Sequence, residues 1–145
     1  MRSFVAGLIV ALLCAPALAG NNKSDKVNGS SNINVTNKSN GVVAVLINNH
    51  TSNADLAKMT KQQFQALGGV FLNKGESHKQ HVLTDSNNPD PNTNKNTVKA
   101  GYVNTQTGKV SANDIGTAEV SVQAGTTRQV DISGQVGSKA SITPH

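Results

Sequence analysis

NINVTNKSNGVVAVLINN, residues Asn32 to Asn49, is the stretch from which the architecture of the chain can be read. Its second half, Val42-Val43-Ala44-Val45-Leu46-Ile47, is an apolar run rich in β-branched residues and bounded by Asn-Gly and Asn-Asn, which reads as a strand rather than a helix. Side chains of a strand point alternately to opposite faces, so a half-buried strand needs only every second residue apolar. Here both faces are apolar. Val43, Val45 and Ile47 need one cover, and Val42, Ala44 and Leu46 need another, which predicts a central strand covered on both sides. Ile33 and Val35 form a shorter strand ahead of it. Asn37-Lys38-Ser39-Asn40-Gly41 is expected to close the two into a hairpin, because Asn and Gly tolerate positive φ.

Downstream, HTSNADLAKMTKQQFQALGG (50–69) is the helical segment of the chain. Ser52 is placed as N-cap with Asp55 in the first turn. Leu56, Met59, Phe64 and Leu67 share one stripe, with a second cap available at Thr60, and Gly68-Gly69 ends the helix. The stripe is expected to lie on the strand Val42–Ile47, with Leu56, Phe64 and Leu67 touching it. Val70-Phe71-Leu72 and Lys79 to Leu83 read as a hairpin across the turn Asn73–Glu76. Asp85 to Asn96, with two prolines and no apolar side chain, reads as an exposed loop. Val98, Ala100 and Tyr102 then alternate with polar residues or Gly, and Thr105–Gly108 turns the chain into Lys109-Val110. Ala118, Val120 and Val122, followed by Arg128, Val130 and Ile132, show the alternation of a half-buried antiparallel hairpin. The fold class expected is mainly β with one helix: a small antiparallel β-sheet or sandwich with the helix packed on one face.

The domain organisation follows from composition. Residues 1–19 carry Arg2, an apolar run from Phe4 to Leu13, and Ala17-Leu18-Ala19 before Gly20. This is the layout of a secretory signal peptide cleaved after Ala19, its apolar run being too short to span a bilayer. Residues 20–31 read as a flexible leader, 32–133 as a single β-rich domain, and 134–145 as a weakly held tail with only Val136 and Ile142 to bury. Cys14, the only cysteine, leaves with the signal, so the mature chain has no disulfide to stabilise it and no thiol chemistry. Leu, Ile, Val and Phe number 26 of the 126 residues from Gly20 onward, so the core is thin for the length. Without Arg2, the 13 basic residues become 12 against eight acidic ones. That scattered excess reads as solvated surface rather than a nucleic-acid footprint.

The four histidines are His50, His78, His81 and His145. Glu76, His78 and His81 are close enough in sequence to be considered as metal ligands, but on a strand 76 and 78 share a face while 81 points the other way. Asp85, Asn87 and Asp90 offer oxygen donors, yet a calcium loop of the EF-hand kind needs Gly where Asp90 stands and a carboxylate where Asn96 stands. No nucleophile elbow, phosphate loop or dinucleotide fingerprint occurs. Phe64, Phe71 and Tyr102, the aromatic residues beyond the signal, all suit a core. No catalytic, cofactor-binding or metal residues are therefore assigned, and no cofactor. The reading is a secreted or periplasmic noncatalytic β-rich binding or structural protein, its partner unknown, with a protein as the candidate and no nucleic acid, and with no transmembrane segment in the mature chain. The alternative is a small metal-dependent protein or enzyme using His78, His81 and nearby acids. A secreted polymer subunit joined through exposed strand edges is a third reading, against which the lack of an internal repeat counts for a fibrillar array.

Overall fold

The computed structural model describes residues 26–27, 31–85 and 94–145. The signal segment, most of the leader and the centre of the loop Asp85–Asn96 lie outside the described residues. The strands are β1 (Lys26–Val27), β2 (Asn32–Asn37), β3 (Val43–Ile47), β4 (Val70–Leu72), β5 (Ser77–His81), β6 (Thr84–Asp85), β7 (Lys95–Tyr102), β8 (Gly116–Ser121), β9 (Thr127–Ser133) and β10 (Ser141–Pro144). Helices α1 (Asn53–Lys58) and α2 (Lys61–Ala66) follow β3, and a 3-10 turn covers Ala112–Asp114. Two four-stranded sheets, ordered β10-β9-β2-β5 and β4-β3-β7-β8, stack face to face, and β1 pairs with β6 at one side. All pairings are antiparallel except that of β2 with β9. The fold is a small β-sandwich.

The doubly apolar strand lies where its sequence requires. β3 is interior to its sheet, between β4 and β7. Val43, Val45 and Ile47 join Ile33, Val35, Val98, Val120, Val130 and Ile132 in the core between the sheets. Ala44 and Leu46 face the other way, into a second cluster with Leu56, Phe64, Val103, Val110 and Ile115. Burial of apolar surface on both faces is what holds this strand.

The roof over that second cluster is two short helices rather than one. Ser52 caps α1 by accepting from the Asp55 amide at 3.1 Å. Thr60 then starts α2 with a capping box: its hydroxyl accepts from the Gln63 amide at 3.2 Å, and the Gln63 side chain accepts from the Thr60 amide at 2.9 Å. Two competing caps within eight residues break the periodic stripe at Met59–Thr60. Phe64 points inward and meets Phe71 edge-to-face, with ring centroids 5.3 Å apart. Gly68, at φ 89°, takes the chain out of α2, and a Cβ at Gly69 would run into the Phe64 ring. Leu67 does not reach β3 as expected; it is the C-cap of α2 and 37% exposed.

The three expected hairpins are corrected. β2 and β3, β4 and β5, and β8 and β9 are each split between the two sheets. At the first crossing, the buried Asn37 side chain donates to Gly41 O at 2.7 Å and to Leu72 O at 2.9 Å, and accepts from the Ser39 amide and hydroxyl. These bonds form a corner, not a flat turn. At the second, the turn before β5 is closed by the Glu76 carboxylate, which accepts from the Asn73 amide at 2.8 Å. β5 therefore spans Ser77–His81 rather than Lys79–Leu83. At the third, Val120 and Val122 of one sheet and Val130 and Ile132 of the other bury against each other across the interior. Stacking satisfies the same alternation that pairing would have. Residues 134–145, expected to be weakly held, contain β10, which extends the sheet along β9, and the His145 amide donates to Gln129 O at 2.9 Å. Lys26–Val27, in the expected leader, pair with Thr84–Asp85, and the expected loop Asp85–Asn96 is shortened at both ends by β6 and β7.

Candidate functional site

The end of the sandwich where β3 begins and β7 finishes carries a groove. The Val103 amide donates to Val42 O at 2.9 Å, and Val103 bridges to Val110, which closes the segment 104–109 into a tight loop. That loop is built on Asn104, whose side-chain oxygen accepts from the amides of Gln106 (2.9 Å) and Thr107 (3.2 Å), the Asx arrangement that replaces missing strand partners. Opposite stands the turn 135–138, where Ser138 bonds back to Gln135 O through both its amide and its hydroxyl. Between these loops lies a hollow of about 560 Å³ with Val42, Val103 and Tyr102 among its walls, Asn40 and Asn104 at its rim and Asp114 on one side. A second hollow of about 270 Å³ shares Val42, Val103 and Thr105 with it and runs toward Lys61, Phe71 and Asn73. The two make one bent groove with a valine floor, amide and hydroxyl walls, a carboxylate on one arm and an ammonium on the other.

The ground under the groove is rigid. Tyr102 is buried and its hydroxyl donates to Ser133 O at 2.9 Å, tying the end of β7 to β9 in the opposite sheet. Burial pushes the Tyr102 phenol above its usual range, with Ser39 beside it pulling weakly the other way. Burial is the larger effect, so the phenol stays neutral and serves as a strut rather than a proton carrier. Val136, by contrast, stands 61% exposed at the groove wall, with Gly41 against its side chain.

The other end of the sandwich has a hollow of about 380 Å³ bordered by His50, His81, Asn48, Leu83, Lys95 and Asn96. Its amides are structural. Asn48, at φ 53°, donates to the Asn96 side chain at 2.8 Å and accepts from the Thr97 amide at 3.0 Å. Asn96 in turn donates to Asn94 O at 3.0 Å. These bonds satisfy the strand ends.

Of the sequence candidates for a metal site, Glu76, His78 and His81 are not brought together, and Asn87 and Asp90 lie outside the described residues. His78 is half-buried on the core side of β5, while His81 is exposed on the outer side and borders the 380 Å³ hollow with His50. Glu76 is held by the Asn73 backbone and side chain, and those hydrogen bonds lower its carboxyl below the usual range; the group staples a turn. His145 lies beside Asp131, at 3.2 Å. Among the described residues, no three His, Cys, Asp or Glu are grouped as ligands, and no helix is long and apolar enough to cross a membrane. The groove residues escape the sequence reading because they come from six separate segments, 40–42, 61, 71–73, 102–108, 111–114 and 136–137, and only their turn-forming Asn and Gly residues signal a loop end. Comparison of the chain with family models, with curated proteins and with solved structures finds no match.

Proposed function

We propose that the protein is exported and acts as a noncatalytic β-sandwich module that holds a protein partner in the groove at the β3–β7 end. The observation that carries this reading is the groove's lining. Val42, Val103 and Val136 offer apolar area, the amides of Asn40 and Asn104 offer hydrogen bonds, and Asp114 and Lys61 stand on separate arms, a composition that suits recognition of a peptide surface. Export rests on the Ala17-Leu18-Ala19 site and the apolar run before it. Mass spectrometry of the native protein should find a mature chain beginning at Gly20.

The binding claim is tested by placing a photo-cross-linking residue at Gln106, in the groove, and at Gln123, near the other end. The captured protein is then purified and its affinity measured. The reading expects capture from Gln106 and not from Gln123, and an affinity at least about tenfold weaker for Val136→Asp, equal to about 1.4 kcal/mol. Equal capture at both positions, or unchanged affinity for Val136→Asp, contradicts it. Stoichiometric zinc, copper or calcium surviving dialysis would favour the metal-dependent alternative instead.

A further inference from the structure

The two sheets have four outer edges, and their hydrogen-bond phase shows what each offers. In β5, Asn37 N donates to Glu76 O and Val82 N to Ser31 O, so the even-numbered residues bond to β2 and the N–H and C=O groups of Ser77, Lys79 and His81 point away from the sheet. In β8, Val122 N donates to Asn94 O, so Thr117, Glu119 and Ser121 point away in the same manner. Among the described residues, no backbone bond reaches these outward groups. The other two edges are closed or short. The bond from His145 N to Gln129 O turns Ile142 and Pro144 of β10 outward, and Pro144 has no N–H to give. β4 has three residues and presents only Phe71.

We propose that copies of this chain join head to tail, the β5 edge of one pairing antiparallel with the β8 edge of the next, with Lys79 opposite Glu119. The register sets Ser77 against Ser121 and His81 against Thr117. All six side chains lie on the outer faces of their sheets, so pairing keeps them on one common face. Charge selects this pairing over the symmetric ones: β5 against β5 centred on Lys79 faces lysine with lysine, and β8 against β8 centred on Glu119 faces carboxylate with carboxylate. Glu119, 3.3 Å from Lys95 and exposed, would stand between Lys95 and Lys79 of the neighbouring copy. β5 packs beside β4 and β8 beside β10, so the two edges lie on opposite sides of the sandwich. The contact is heterologous and leaves one free edge at each end, which makes an open chain of copies. No internal repeat is required, because the repeating unit is the whole domain.

The test is sedimentation velocity of the mature chain over a dilution series. The wild type should sediment faster as concentration rises, and Lys79→Glu and Glu119→Lys should each remain monomeric. An equimolar mixture of the two should regain association, since each then offers the other a matched edge. Lys79→Pro should also be monomeric with an unchanged thermal melt, because the amide it removes is not part of the internal ladder. Val136→Asp, in the groove, should associate like the wild type, which separates this inference from the groove reading. A wild type that stays monomeric up to its solubility limit, reversals that leave association intact, or a mixture that fails to regain it would each overturn the proposal.

Discussion

The sheet built around β3 is buried on both faces, whereas the sheet built around β2 is buried on one. α1, α2 and the 3-10 turn roof the first over Ala44, Leu46 and Phe64. The outer face of the second is open to water and carries polar side chains bonded across strands, Thr36 to Ser77 and Asn34 to Gln129, both at 2.7 Å. The same backbone architecture thus carries two different loads. One sheet depends on apolar cover from outside the sandwich, and the other takes its stability from the shared interior, leaving its outer face free to vary.

The strongest way to break this contrast is to remove the roof. Phe64→Ala deletes a buried ring and is expected to cost about 3–5 kcal/mol, read by thermal or urea denaturation. Against a typical total of about 5–15 kcal/mol, that loss leaves the variant near unfolding at 37 °C. A parent-like melt would mean that the helices contribute nothing to the sheet beneath them. Next in size is Asn37→Ala. This side chain ends β2 in one sheet and bonds Leu72 O in the other, so its loss strands buried acceptors at a cost of about 1–3 kcal/mol; a neutral result in the same melts would mean that water replaces it.

Tyr102→Phe removes the second tie between the sheets, the bond to Ser133 O, and should cost about 0.5–1.5 kcal/mol. It also carries a pH signature. Because burial raises the phenol above its usual value of 10.0, the folded state keeps the proton after the unfolded chain begins to lose it. Stability is therefore full below that value and falls as pH rises through it. The Phe variant should show a shallower alkaline decline in denaturation midpoints. The smallest effect is expected from Asn34→Ala on the water-facing side, within about 0.5 kcal/mol of the parent; a larger loss would show that the cross-strand amide pair with Gln129 stabilises the sheet.

The burial pattern was legible in the sequence and the pairing was not. Both covers of Val42–Ile47 followed from its apolar residues, and the inward set of β9 followed from Val130 and Ile132. Alternation reports which face of a strand is apolar, but it is the same whether the next strand lies beside it or across the interior. Alternation alone therefore makes the turns after Asn37, Leu72 and Val122 read as hairpins, and the side-chain bonds that shape the first two, from Asn37 and Glu76, are long-range or depend on geometry. The break at Thr60 was visible as a second cap. The groove was not, because Val42, Val103, Asp114 and Val136 become neighbours only after four loops converge, and none belongs to a motif.

The account turns on β3 having a different neighbour on each face, and a pair of double-mutant cycles tests it most directly. Urea denaturation of Phe64→Leu combined with Leu46→Ala, and separately with Val45→Ala, compares adjacent residues on opposite faces of one strand. Leu46 shares the roofed cluster with Phe64 and Val45 does not. The expected result is a coupling of at least about 0.5 kcal/mol for Leu46 with Phe64, and additivity within about 0.3–0.5 kcal/mol for Val45 with Phe64. Coupling of Phe64 to Val45 with none to Leu46 would put the helices on the wrong side of the strand and contradict the fold described.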